Sequence, residues 1–187
     1  MNNTIKVYLK TIIRIFRSCK NRIKFFKIRK NKGTYEVLKD ACDGLDIEIS
    51  DTGTLELRSP CFTNTPVCHF YVRSAAKLTI GHDTYFNSNC TIVSRSSIEI
   101  GDNCLFGPNV YICDHDHLFD KEKVYRDQYK CEPIKIGNNC WIGAGTIILK
   151  GAIIEDNSII GAGSVITSRV PSDTVCIQKR DIKLYNR

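Results

Sequence analysis

The sequence predicts an all-β protein, a parallel β-helix, on three observations. First, one aliphatic residue returns every six positions, at Ile136, Ile142, Ile148, Ile154, Ile160 and Ile166. A helical stripe repeats at about 3.6 and a sheet face at about 2, so a sustained six is neither. Such periods belong to solenoids in which each short segment forms one wall of a coil and stacked coils share a core. Second, the residue two places before the recurring large residue is small or β-branched: Thr84, Cys90, Cys104, Val110, Cys140, Thr146, Ala152, Ser158 and Ser164. Residues two apart on a strand face the same side, so small and large side chains share each inner wall. Third, glycines 101, 107, 137, 143, 161 and 163 sit just beyond the aliphatics. The wall must turn a corner there, and these glycines are expected to supply φ > 0.

Four regions follow in chain order. Residues 1–32 hold eleven Lys/Arg and no Asp or Glu, with Ile5, Leu9, Ile12, Phe16, Cys19, Ile23 and Phe26 at three- and four-residue steps. This spacing predicts a basic amphipathic helical arm. Two readings fit it: peripheral contact with an anionic membrane on the cytoplasmic face, or packing on its own protein with a solvated basic face. No apolar run approaches the roughly 18 residues of a membrane span, and no signal-peptide pattern is present. Residues 33–67 form a connecting segment in which 36–41 finish a helical element and Ile47/Ile49 and Leu55/Leu57 mark two short strands. Residues 68–171 form the β-helix, and 172–187 a tail. Within the β-helix the hexads run through Leu78-Thr79-Ile80-Gly81, Phe86 and Ile92. Two extra residues near Ser94–Ser97 shift the phase, and Ile100, Phe106 and Ile112 resume it. The period is then lost until Ile134. The polar, aromatic stretch at about 113–133 is therefore an extruded loop, and a loop of that length in a compact solenoid is commonly functional.

Charge and cysteine content narrow the function classes. The chain has 27 Lys+Arg against 20 Asp+Glu; outside the arm, sixteen basic residues face twenty acidic ones, a net of −4. The basic balance belongs to the arm, which disfavours a nucleic-acid partner for the body. The ten cysteines show no Cys-x-x-Cys pairing or metal spacing, and Cys90, Cys104 and Cys140 fit as small core residues. A reduced, cytoplasmic chain is expected, peripheral on the inner membrane face if the arm binds lipid, with no metal.

The hexads, Trp141-Ile142-Gly143-Ala144, Gly161-Ala162-Gly163-Ser164 and the His-containing loop between coils together resemble the hexapeptide-repeat acyltransferases. The nearest subgroup is the galactoside, maltose and polysaccharide O-acetyltransferases. The resemblance covers about 78–171. It implies a left-handed β-helix, a homotrimer with active sites between subunits, acetyl-CoA as acyl donor and a sugar hydroxyl as acceptor, with surface polysaccharide modification as the setting. Other acceptors such as serine keep the same machinery, and a catalytically silent trimeric scaffold at the membrane surface is the alternative from another class.

Such a transfer needs a general base near neutral pH, for which imidazole is suited, and preorganised donors for the developing oxyanion. Of the four histidines, at 69, 82, 115 and 117, two lie where the loop leaves the coils. By resemblance, the base falls eight residues beyond the Asn of a Pro-Asn-Val-like hexad. Counting from Asn109 selects His117, with His115 as fallback; Asp114 and Asp116 are candidates to orient an imidazole and contact substrate. Resemblance also makes Asn87 an acceptor contact. Tyr85 and the loop aromatics Phe119, Tyr125 and Tyr129 either stack on a sugar ring or anchor the loop. It further places pantetheine along Trp141 and the backbone amides of Ala144 and Ala162, and CoA phosphates near Arg169, Lys179 and Arg180. The tail departs from the family by lacking a glycine-proline turn after Pro171. A zinc carbonic-anhydrase site on this fold is disfavoured, because the four histidines do not occupy matching coil positions.

Overall fold

The structure, a computed structural model, describes residues 45–50, 52–58, 61–62, 68–179 and 185. The arm at 1–32, the helical element at 36–41 and Arg180 lie outside these residues. The chain winds in three-walled coils. The first is β1 (Leu45–Ile49), β2 (Thr54–Leu57) and β3 (Cys61–Phe62); the second is β4 (Cys68–Val72), β5 (Lys77–Ile80) and β6 (Tyr85–Phe86). The third is β7 (Thr91–Ser94), β8 (Ser97–Ile100) and β9 (Leu105–Phe106). β10 (Tyr111–Cys113) opens the fourth coil, which is interrupted by β11 (His115–Phe119) and β12 (Val124–Cys131) and completed by β13 (Ile134–Ile136) and β14 (Trp141–Ile142). β15 (Ile147–Leu149), β16 (Ile153–Ile154) and β17 (Ile159–Ile160) form the fifth, and β18 (Val165–Ile166), β19 (Arg169–Val170) and β20 (Val175–Cys176) the last. Equivalent walls stack into three six-stranded sheets, here termed first, second and third in coil order. Their strand pairs are all parallel.

The ladder extends beyond the expected 68–171 at both ends. Leu45 to Ile49 pair in register with Cys68 to Val72, and Val175 pairs with Ile159. The two short strands at Ile47/Ile49 and Leu55/Leu57 are thus successive walls of a coil. Their departure from strict hexads hid them: five- and four-residue strands make wider walls than the two-residue strands of the later coils.

The core is the column of inward residues. Ile136, Ile142, Ile148, Ile154 and Ile160 are all at most 1% exposed, and each contributes about 1.5–3 kcal/mol through burial. The small residues two places earlier are buried as expected, but they do more than fill space. At one corner Thr84 donates to the Gly101 carbonyl (2.8 Å), Cys104 to that of Gly137 (3.1 Å), Cys140 to that of Glu155 (3.2 Å) and Ser158 to that of Pro171 (2.9 Å). Each satisfies a carbonyl of the next coil, which explains why Cys, Ser and Thr interchange there.

The corner glycines act differently from expectation. Of glycines 101, 107, 137, 143, 161 and 163, only Gly163 has positive φ (68°); the left-handed corner positions belong mostly to Asn and Asp, at 83, 89, 103, 109, 139, 157 and 173. Gly143 is required because a Cβ there would stand 2.5 Å from the Ala162 nitrogen and 2.7 Å from the Ile160 carbonyl oxygen. The next coil simply lies too close for a side chain.

Candidate functional site

The extruded stretch is an antiparallel hairpin, β11 against β12, with His115 opposite Cys131 and His117 opposite Tyr129. Strand alternation puts His115, His117, Tyr129 and Cys131 on one face and Asp116 on the other. Asp116 pairs there with Lys150 of the fifth coil (3.0 Å). At the tip, Asp120 Oδ1 accepts the Glu122 and Lys123 amides (2.8 and 3.0 Å) and Oδ2 the Tyr125 hydroxyl (2.6 Å).

The hairpin is rooted by Asp114. Its carboxylate is fully buried and accepts the Arg95 amide (2.8 Å), the Ser96 amide (2.8 Å) and the Ser94 hydroxyl (3.0 Å). Those donors are the phase-shifting insert of the previous coil. The remaining contact of the Asp114 carboxylate is His115 Nδ1, at 3.2 Å. With no exposed surface, Asp114 has none to offer a substrate. Its carboxylate holds the root of the hairpin and lies against His115.

The two imidazoles differ. His115 is enclosed, its side chain 11% exposed, with Cys113 Sγ 3.4 Å from Nδ1. Burial pushes its pKa below the usual value, partly opposed by Asp114 and reinforced by the positive charge of Arg95. His117 is exposed, and its Nδ1 lies 3.0 Å from the Tyr125 carbonyl oxygen. Because a carbonyl only accepts, Nδ1 is the donor in this contact, and in a neutral imidazole the lone pair then belongs to Nε2. Tyr129 packs between: its ring centroid is 5.3 Å from that of His115 and 4.7 Å from that of His117, while the Arg95 guanidinium lies 3.5 Å over it. Tyr129 is therefore an anchor within this cluster. Phe119, paired with Val124 in the hairpin, is 74% exposed.

The other expected residues lie elsewhere. Asn87 ends the third-sheet wall of the second coil; its Oδ1 accepts the Ser88 amide (2.7 Å). Ala144 and Ala162 occupy the same corner in later coils, both exposed, and among the described residues their amides have no acceptor. Tyr85, Leu105, Trp141, Ile159 and Val175 form one outward row along the third sheet, with Trp141 54% exposed. Arg169, expected near CoA phosphates, lies on the second sheet with both Nε and Nη2 on Glu155 Oε1 (2.9 and 2.6 Å). Lys179 is exposed beyond the last strand. The molecule thus gathers the imidazoles at the first-to-second corner and the free amides at the third-to-first corner. The five residue steps from Asn109 to Asp114 span about 15 Å between these corners. Sequence reasoning missed Arg95 and Lys150, and the phase shift at Ser94–Ser97 was the one signal pointing to the former.

Stacked hexads broken by a hairpin that carries histidines define a hexapeptide-repeat protein. The bacterial transferase hexapeptide (six repeats) profile matches residues 133–168, and that of the hexapeptide repeat of succinyl-transferase matches 77–113. The galactoside O-acetyltransferase of Escherichia coli (strain K12) is 40% identical over 105 residues, 56% of this chain and 52% of that protein. The galactoside O-acetyltransferase of Lactococcus lactis subsp. lactis (strain IL1403) is 35% identical over 133 residues, 68% of this chain and 63% of that protein. A galactoside acetyltransferase solved in complex with coenzyme A superposes with a TM-score of 0.57 at 35% identity, over 65% of this chain and 60% of that one. The chain is similar to the hexapeptide-repeat transferases, and its fold is the left-handed β-helix of that kind. It spans between half and two thirds of the length of these two curated relatives.

Proposed function

We propose that this chain is an acetyl-CoA-dependent O-acetyltransferase acting on a sugar hydroxyl, with His117 as general base. The observation that carries this is the contact of His117 Nδ1 with the Tyr125 carbonyl, which leaves Nε2 as a proton acceptor on an exposed imidazole. His115 is the weaker candidate, because it is enclosed and its Nδ1 faces Asp114. In this reading His117 Nε2 takes the proton of the acceptor hydroxyl as its oxygen attacks the thioester carbon. The Ala144 amide donates to the carbonyl oxygen as it gains charge. His117 then returns the proton to the departing thiolate. Asn87 contacts the acceptor. The apolar row of Leu105 and Trp141 suits the pantetheine arm, and the Ala162 amide, one coil on, donates to it. Lys179 and Arg180 remain candidates for the CoA phosphates, whereas Arg169 must first leave Glu155.

Imidazoles and free amides about 15 Å apart cannot share one reacting centre within a single copy. A homotrimer that sets the hairpin of one copy against the third-to-first corner of its neighbour completes the site. Exposed apolar rows on the first sheet (Tyr111, Ile147, Val165) and the third (Leu105, Trp141, Val175) suit burial between copies. Modification of a surface glycan in the cytoplasm, with residues 1–32 resting on an anionic membrane, belongs to the same proposal; no helix among the described residues is long and apolar enough to cross one. The test is thiol release from acetyl-CoA with a panel of glycosides. His117→Ala is expected to lower kcat by about 10²–10⁴. Equal rates would remove the base assignment, and the absence of any acyl-CoA binding by calorimetry would leave the scaffold reading.

A further inference from the structure

The two-residue insert that shifts the hexad phase brings a cation to the imidazole cluster. Arg95 is partly buried and lies over Tyr129, its guanidinium carbon 3.5 Å from the ring centroid. A cation–π contact of this kind leaves guanidinium N–H groups available for an acceptor. Among the described residues no carboxylate pairs with Arg95, and its Nε is shielded from water without an acceptor. The carboxylate at the same corner, Asp114, is committed to the Arg95 and Ser96 amides, the Ser94 hydroxyl and His115. A partly desolvated cation is ordinarily paired with an anion, and among the described residues none pairs with it.

Proximity to the candidate base gives the vacancy a meaning. The guanidinium carbon and the His117 ring are separated by no more than the 3.5 and 4.7 Å centroid separations on Tyr129 laid end to end. That is within the reach of one hexose ring and a substituent. We propose that Arg95 is a specificity-determining residue that binds an anionic group, a carboxylate or a phosphate, carried by the acceptor sugar whose hydroxyl faces His117. Planar guanidinium edges suit either group, because both accept two parallel N–H bonds. The inference rests on the sugar-acetyl transfer proposed above and adds the charge of the substrate.

The test compares a neutral hexoside, the matching hexuronide and the matching hexose 1-phosphate as acceptors, for wild type, Arg95→Met and Arg95→Lys. Wild type is expected to favour one anionic acceptor over the hexoside by about 10- to 100-fold in kcat/KM. Arg95→Met should bring that ratio close to one, and Arg95→Lys should keep part of it. Which anion is favoured separates a sugar acid from a phosphorylated sugar. The ratio is internal to each protein, so a general loss of folding cancels. A wild-type ratio near one overturns the inference, as does a ratio that survives in Arg95→Met. A raised KM for acetyl-CoA with an unmoved acceptor ratio assigns the anion to the donor and also overturns it. Thiol release with no acceptor at all strikes the transfer reading itself, whereas turnover without charge preference strikes this inference alone.

Discussion

Replacing Asp114 by alanine should unfasten the hairpin. The carboxylate is fully buried and is the sole acceptor found among the described residues for the Arg95 and Ser96 amides, each at 2.8 Å. Alanine leaves two backbone donors unsatisfied at about 1–3 kcal/mol each, besides freeing the Ser94 hydroxyl and His115. The expected loss is about 3–5 kcal/mol, the range seen when one member of a buried charged network is removed. Asp114→Asn retains one oxygen for an amide but turns an NH₂ toward the other, so it should cost about half as much. Urea unfolding at fixed protein concentration measures the loss. Hydrogen exchange locates it, with acceleration expected at residues 95–96 and along 115–131 before the later coils respond. A loss below about 1 kcal/mol with unchanged exchange at 95–96 would refute the idea that this carboxylate ties the hairpin to the coil.

Two further outcomes follow from the same geometry. Gly143→Ala should be strongly destabilising, by about 3 kcal/mol or more, because its Cβ meets backbone of the next coil at 2.5 Å. Gly145→Asn should lie within about 1 kcal/mol of wild type, since Gly145 has φ 66° with nothing within 4 Å of its Cβ position, and Asn tolerates that conformation. The reverse order in thermal unfolding would overturn the assignment of close approach to one glycine and conformation to the other. His115 sets a pH dependence. Its pKa is lowered, chiefly by burial, so the folded state holds its proton less tightly than the unfolded one. Stability from this group is therefore present above the unfolded value of about 6.5 and declines as pH falls through the folded value. His115→Gln should be less stable than wild type near pH 8, with the gap closing on acidification. A gap that widens instead would mean that the ion pair with Asp114 outweighs burial.

Sequence periodicity carried the later coils almost completely, because two-residue walls with one large inward residue leave little freedom in how hexads are read. The first coil was less legible, since walls of four and five residues replace the six-residue beat with ordinary alternation. Apart from Gly163, the corner glycines were located correctly for the wrong cause. Composition cannot separate a residue lacking a Cβ for conformation from one lacking it for clearance, and only the position of the next coil decides. The hairpin was read as an extruded loop without strands assigned to it, although His115, His117 and Phe119 alternate with polar or smaller residues as a strand requires.

The least legible part of the site is the coupling between its pieces. A phase shift at Ser94–Ser97 and a charged stretch beginning at Asp114 look like independent interruptions of a repeat, separated by an intact hexad at Phe106 and Ile112. In the fold they are neighbours one coil apart. The insert bares two amides and a hydroxyl at a corner, and Asp114 supplies the carboxylate that closes it. That closure fixes where β11 leaves the solenoid, and strand alternation then sets His117 two residues beyond His115 on the face shared with Tyr129. The same insert delivers Arg95 to that ring. Deleting the two extra residues of the insert would therefore be expected to disturb the imidazoles more than the coils. The solenoid core would retain its buried Ile column, while Asp114 would be left without its donors.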